Sequence, residues 1–302
     1  MAIKQAVSIS LGSSKRDKSV TVELLGQQVA IERQGTDGDV DLATQRFTAL
    51  DGLVDALGVG GIDLWVQMNE KRYPLYAAQK MVRRVHQTPV VDGSGLKNTL
   101  ERQVVPVLVQ ALGKDFRQGR VLLTAAVDRF GMTQSFAEHG YELVCGDLMF
   151  ALGIPLPIRS MTNLHWMARL LLPLVGRLPI NVLYPTGSKQ ETIVPRFERY
   201  YQWATVIAGD CHYIKRHMPD RLEGKVIVTN TTTPEDMQLF RERGVRAVMT
   251  STPTYDGRSF GTNMMEAALT AAAGKKRPLT LPELNEIIET LDLRPRVERF
   301  DF

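Results

Sequence analysis

Hydrophobic and polar positions follow two rhythms along the chain. Short runs that are apolar at nearly every position, AVSISLG from Ala6, QVAIER from Gln28, VDALGVGG from Val54 and TPVVDGSG from Thr88, read as buried strands. Between them, DLATQRFTAL and YAAQKMVRRV place apolar residues at helical spacing. After the polar stretch GKDFRQGR, residues 113–120, the alternation restarts. VLLTAAV, YELVCGD, TVIAGD, KVIVTN and RAVMTS supply strands, and SFAEHG, PEDMQLFRERG and NMMEAALTAAAG supply helices. Strand and helix in alternation predict an α/β protein of two Rossmann-like, doubly wound lobes with mostly parallel sheets. Residues 1–116 are expected to form an N-terminal α/β substrate lobe. Residues 117–302 are expected to form a Rossmann-like lobe with an apolar insertion at 148–187 and a C-terminal helix, LPELNEIIETL.

The insertion, Leu148 to Gly187, is apolar but broken by Pro155, Pro157, Arg159, Arg169 and Arg177, so it does not span a bilayer as one helix. Burial against the other lobe or a second subunit is the expectation, which makes the chain a homo-oligomer. A membrane-surface helix and a roof over a ligand cleft are the alternatives.

Composition narrows the function classes. The formal charge of +4 is carried by basic residues scattered in ones and twos, which argues against nucleic acid as the partner and leaves a small-molecule substrate. Cys145 and Cys211 lack the spacing of a disulfide framework or a zinc site, and the N-terminus enters a β-like run without the apolar core of a signal peptide. A cytoplasmic chain that does not span the membrane is expected.

Ligands of open parallel sheets bind beyond the carboxyl ends of the strands. Those exits are rich here in Gly, Ser, Thr, Asp and Asn, a composition that makes either ordinary turns and caps or a polar cleft between lobes. Candidate substrate-binding residues are Ser13, Ser14 and Lys15 in LGSSKRDK, Ser94 in GSGLKN, and Asp210, Asn230, Arg258 and Asn263 at later exits. LGSSKRDK and GSGLKN have the composition of a phosphate cradle without the spacing of a P-loop.

The loop after VLLTAAV has the outline of a dinucleotide-binding turn. With Gly131 as the third glycine of G-x-G-x-x-G, Ala126 falls at the first position and Asp128 at the second, where a carboxylate repels a phosphate. Asp128 and Arg129 then form an internal pair or face a hydroxylated ligand. Asp147 ends the second strand, where an acidic residue takes the ribose hydroxyls. Ala126, Asp128, Arg129, Gly131 and Asp147 are thus the candidate contacts for NAD or NADP. In GDCHYIKRHMP, His212 is the candidate acid/base, with Cys211 packing beside it.

The runs SISLGSSKRDK, GVGGIDL, TPVVDGSGLKNTLER, AVDRFGM, GDLMFALGIPLPIRS, LYPTG, VIAGDCHYIKRHMP and RSFGTN, which cover nearly the whole chain, resemble a prokaryotic family labelled quinate 5-dehydrogenase. The resemblance implies an oxidoreductase of the quinate/shikimate type that oxidises a hydroxyl with a nicotinamide cofactor. It gives Lys97 and Asp92 the proton-transfer roles, and Asn98 and Thr99 hydroxyl-binding ones. The pattern departs at Ala126 and Asp128. A sugar-phosphate or group-transfer enzyme, or a non-catalytic ligand sensor, reads the same loops differently, and a helix capped by Ser94 with Lys97 solvated reads them without function.

Overall fold

A computed structural model of the chain describes residues 2–183, 192–255 and 258–300. The chain runs β1 (Lys4–Ser10), β2 (Lys18–Leu24), β3 (Gln27–Gly35), α1 (Val40–Leu50), β4 (Ala56–Gly60), β5 (Trp65–Met68), β6 (Lys71–Pro74), α2 (Tyr76–Val82), β7 (Val90–Val91), α3 (Ser94–Asn98) and α4 (Val104–Leu112). It continues β8 (Arg120–Leu123), α5 (Phe130–Glu138), β9 (Glu142–Cys145), α6 (Met161–Val175), α7 (Ile180–Leu183), α8 (Glu198–Trp203), β10 (Val206–Gly209), α9 (Cys211–His217), β11 (Val226–Thr229) and α10 (Pro234–Glu242). β12 (Ala247–Thr250), β13 (Thr254–Tyr255), β14 (Arg258–Ser259), α11 (Thr262–Ala273), α12 (Leu281–Thr290) and β15 (Arg296–Arg299) complete it. The fold is α/β with two mostly parallel sheets, as the apolar rhythm predicts.

The two compact units are discontinuous. The first holds Met1–Leu96, Leu171–Gln190 and Gly261–Asp292; the second holds Lys97–Leu170, Glu191–Phe260 and Leu293–Phe302. This departs from a single division near residue 116. Residues 97–116 belong with the second unit, and α11 and α12 return to the first. The reason is packing: α11 is buried on nearly every side, and its Ala-rich surface lies against β1 and β4.

In the first unit the sheet order is β2-β3-β1-β4-β7, parallel except for β2 at the edge. β4 is buried at every position because both faces are covered, whereas β2 alternates half-buried and exposed positions as an edge strand with one wet face. In the second unit the order β9-β8-β10-β11-β12 is parallel, with β15 antiparallel to β12. Chain order reverses between β8 and β10, which makes their carboxyl ends the topological switch point. The register Val206↔Val121 to Ala208↔Leu123 brings the two exits level. Gly209 closes that approach: its φ is +141°, and a Cβ there would lie 2.2 Å from Thr124 Oγ1.

The single helix expected from LKNTLERQVVPVLVQAL is broken. α3 stops at Asn98, a 3-10 turn covers Leu100–Gln103, and α4 restarts at Val104. Glu101, on that turn, is fully buried. The apolar segment forms a π-helical turn at Asp147–Ala151, a bridge between Cys145 and Ile158, and then α6 and α7. Among the described residues no helix is long and apolar enough to cross a membrane.

Candidate functional site

The exits of β8 and β10 carry a connected set of charged side chains, all within the second unit. Arg129, at the start of α5, is its centre. Its Nη1 donates to Glu101 Oε1 at 2.7 Å, its Nη2 to Asp210 Oδ2 at 3.1 Å, and its Nε lies 3.2 Å from Asp128 Oδ2. Asp128 Oδ1 takes Lys97 Nζ at 2.9 Å. Asp210 accepts the Asn230 amide at 2.9 Å and caps α9 by accepting the His212 backbone N–H at 2.9 Å. Ser251 Oγ donates to Glu101 Oε1 at 3.1 Å, while Glu101 Oε2 is buried without a hydrogen-bond partner among the described residues.

Burial and charge act on these groups in opposite senses. Burial raises the Glu101 carboxyl above its usual range against the pull of Arg129 and Lys97. Burial also works on Asp210, but the guanidinium of Arg129 and the imidazole of His212 hold its carboxyl below the usual range. Exposure sets two of the carboxylates apart from the rest of the set. The side chains of Asp128 and Asp210 are 29% and 21% exposed, whereas those of Lys97 and Arg129 are 7% and 5% exposed. Asp128 and Asp210 form the accessible rim, and Lys97, Arg129 and the fully buried Glu101 lie behind them.

The dinucleotide-like loop is committed elsewhere. Asp147 Oδ1 and Oδ2 accept the amides of Val127 and Ala126 at 2.9 and 3.2 Å, and burial pushes the carboxyl up to about 6. Two amides of the loop are thereby engaged. The expectation that Asp147 holds a ribose is therefore corrected: its oxygens pin the loop. Gly131 is required, but for a different neighbour. A Cβ there would lie 2.0 Å from Lys97 O, so the glycine admits the Lys97 segment against α5. With Ala126 and Asp128 in place of glycine, a net-negative rim and engaged amides, these residues do not fit a nicotinamide dinucleotide in that mode.

Several expected contacts serve the fold. Asp92, in the first unit, accepts the amides of Leu64, Trp65 and Ser94 at 2.7, 3.2 and 3.0 Å, so its oxygens anchor backbone. Ser13 accepts the Lys15 amide at 3.3 Å, and Ser14 donates its amide and hydroxyl to Asp37 at 2.9 and 2.7 Å. An acidic side chain thus occupies the donors of the proposed phosphate cradle, and Lys15 is exposed. Asn263, also in the first unit, donates to Ser8 Oγ at 2.6 Å. Ser94 and Thr99 are buried, Asn98 half-buried, and the Arg258 side chain lies outside the described residues. His212 sits on the first turn of α9 beside Asp210. Cys211 is buried 3.8 Å from Asp236, and burial pushes its thiol well up, so it packs.

Glu101 and Ser251 escaped the sequence reading. Glu101 lies in a helix-like run where a carboxylate reads as solvated, and Ser251 follows β12 in a polar loop among many.

The two sheets define a doubly wound α/β protein with its polar constellation at a switch point. The chain belongs to the family described as Domain of unknown function (DUF8754), whose model matches residues 95–300; residues 5–92 match Domain of unknown function (DUF8753). No curated protein matches the sequence. Among solved structures, the chain is similar to GanP, a glucose-galactose binding protein from Geobacillus stearothermophilus, at 8% identity and TM-score 0.39, over 99% of this chain and 98% of that one. It is similar to an ABC transporter solute binding protein from Bacillus halodurans with bound myo-inositol, at 11% identity and TM-score 0.35, over 94% and 98%. An NAD-dependent malic enzyme from Thermotoga maritima aligns at 12% identity and TM-score 0.39, over 94% and 75%.

Proposed function

We propose that the chain binds a small hydroxylated molecule at the β8–β10 switch point. The observation that carries this reading is the sorting of charge at the site, with Asp128 and Asp210 accessible and Lys97 and Arg129 behind them. Accessible carboxylates accept hydroxyl protons. The buried cations fix both in direction, and Arg129 holds the Asp210 carboxyl below its usual range, so little side-chain freedom is lost on binding. The accessible groups are both carboxylates, Asp128 and Asp210, which disfavours an anionic ligand. A phosphate about 4 Å from an unbalanced carboxylate costs about 4 kcal/mol near a protein surface. The ligand class is therefore a neutral polyol or sugar.

One contact favours a second reading, an oxidoreductase of the quinate/shikimate type. Lys97 Nζ on Asp128 Oδ1 is the ammonium–carboxylate combination that takes a hydroxyl proton during oxidation. That reading requires a nicotinamide held by contacts other than the Ala126–Gly131 loop. Thermal-shift titration with hexoses, cyclic polyols, quinate and shikimate, each with and without NADH or NADPH, tests both. Saturable stabilisation by a polyol or sugar alone is the expected result. Stabilisation that needs the nucleotide favours the dehydrogenase, and silence across the panel overturns both.

A further inference from the structure

Nine of the twelve large hydrophobic side chains exposed among the described residues lie between Leu152 and Val194. Three of them lie on α6. Leu164, Ala168 and Leu172, four apart, are buried against the protein. Trp166, Leu170 and Leu174, also four apart, form a second stripe at 66%, 71% and 62% exposure. The helix is thus apolar on two faces, and only one is covered. A solvated helix does not leave such a stripe bare.

Charge identifies what covers it. From Leu148 to Gln190 the sequence contains no Asp or Glu, although the chain has 33 in its 302 residues, and it carries Arg159, Arg169, Arg177 and Lys189. Arg169 lies over the Trp166 ring at 5.5 Å from its centroid, beside a groove of about 380 Å³ lined by Met161, Thr162, His165, Trp166 and Arg169. A second copy of the chain fits poorly. A two-fold contact through this patch sets arginine against arginine, with no carboxylate in the segment to neutralise them. An anionic lipid surface supplies both the apolar layer and the negative charge.

We infer that α6 is a membrane-surface helix, which lays Trp166, Leu170 and Leu174 into the headgroup boundary of an anionic bilayer with Arg169 and Arg177 on lipid phosphates. Such helices lie in the plane of the interface, with the apolar face about 5–10 Å deep, and tryptophan favours that depth. The inference is independent of the ligand proposed at the switch point, because Trp166, Leu170 and Leu174 face outward and none belongs to the charged set there.

The test is co-sedimentation of the full chain with vesicles of equimolar phosphatidylglycerol and phosphatidylcholine, against phosphatidylcholine alone. Binding to the anionic vesicles only, weakened by high salt, is expected. Leu170→Glu should cut the bound fraction about tenfold, because it puts a carboxylate at the apolar boundary. Leu170 is exposed, so thermal unfolding of that variant should match the parent. If it does not, Trp166→Phe gives a second readout: the parent's vesicle-induced blue shift of tryptophan fluorescence should vanish. Absence of binding to anionic vesicles, or binding indifferent to both substitutions, overturns the inference. A dimer in sedimentation velocity that Leu170→Glu dissociates overturns it in favour of a second copy.

Discussion

Arg129 and Asp210 meet across the switch point of their sheet, guanidinium Nη2 to carboxylate Oδ2 at 3.1 Å, and Arg129 at the same time holds the buried Glu101 at 2.7 Å. One side chain thus neutralises a core carboxylate and orients an accessible one. Fold and site depend on the same residue.

Removing that residue tests the structural half of this statement. Arg129→Met strands Glu101, whose side chain is fully buried, and should cost about 3–5 kcal/mol in denaturant unfolding. Glu101→Gln should cost less, because Oε2 of Glu101 already lacks a partner among the described residues and burial already favours the neutral form. Equal small costs would mean that the pair is not the anchor described.

Gly131→Ala probes the close approach of the Lys97 segment. A Cβ 2.0 Å from Lys97 O must displace one of the two segments, at about 3 kcal/mol for an overpacked contact. Ligand binding should weaken with it, since Lys97 sets Asp128. A variant as stable as the parent would contradict the packing.

Much of this was legible in the sequence, for reasons visible in particular elements. β4, β10, β11 and β12 are buried at every position, so each prints as an unbroken apolar run. β2 alternates and β15 is largely exposed, and neither has the strength of pattern to register. Asp128, Asp147 and Asp210 were found because they sit at strand exits, although Asp147 proved to hold backbone. Glu101 was hidden because its burial depends on a break between α3 and α4 that a helix-like run conceals. The assignment of α11 to the first unit is a long-range packing choice that no local pattern encodes.

Nucleotide binding should not appear when the loop is given back a glycine. Asp128→Gly removes the partner of Lys97 but leaves the amides of Ala126 and Val127 on Asp147. NADH fluorescence titrations of parent and variant should both fail to saturate. Tight NADH binding by the variant would show that the carboxylate alone excluded the pyrophosphate.

Stability should fall as pH rises through the neutral range, through Glu266. This residue of α11 accepts the Leu96 amide at 3.1 Å, and burial, with Asp92 adding, pushes it from an ordinary 4.5 to about 8. Between those values the folded chain keeps a proton that the unfolded chain releases. The stabilisation is therefore full at low pH and is lost as pH climbs toward 8, on the order of 5 kcal/mol over the window. Glu266→Gln should flatten the profile in denaturant unfolding measured between the two pH limits. An unchanged slope would assign the pH dependence to other groups.

Calorimetric titration of the parent and of Asp210→Asn with the polyol or sugar that stabilises the chain most tests the binding account directly. The parent should bind one equivalent without nucleotide. Asp210→Asn, which loses the ionised acceptor that Arg129 orients, should bind at least about tenfold more weakly, as expected for a lost charge-assisted hydrogen bond. Equal affinities in the two proteins, or binding only when NADH or NADPH is present, would contradict a hydroxyl-binding site at the β8–β10 exits.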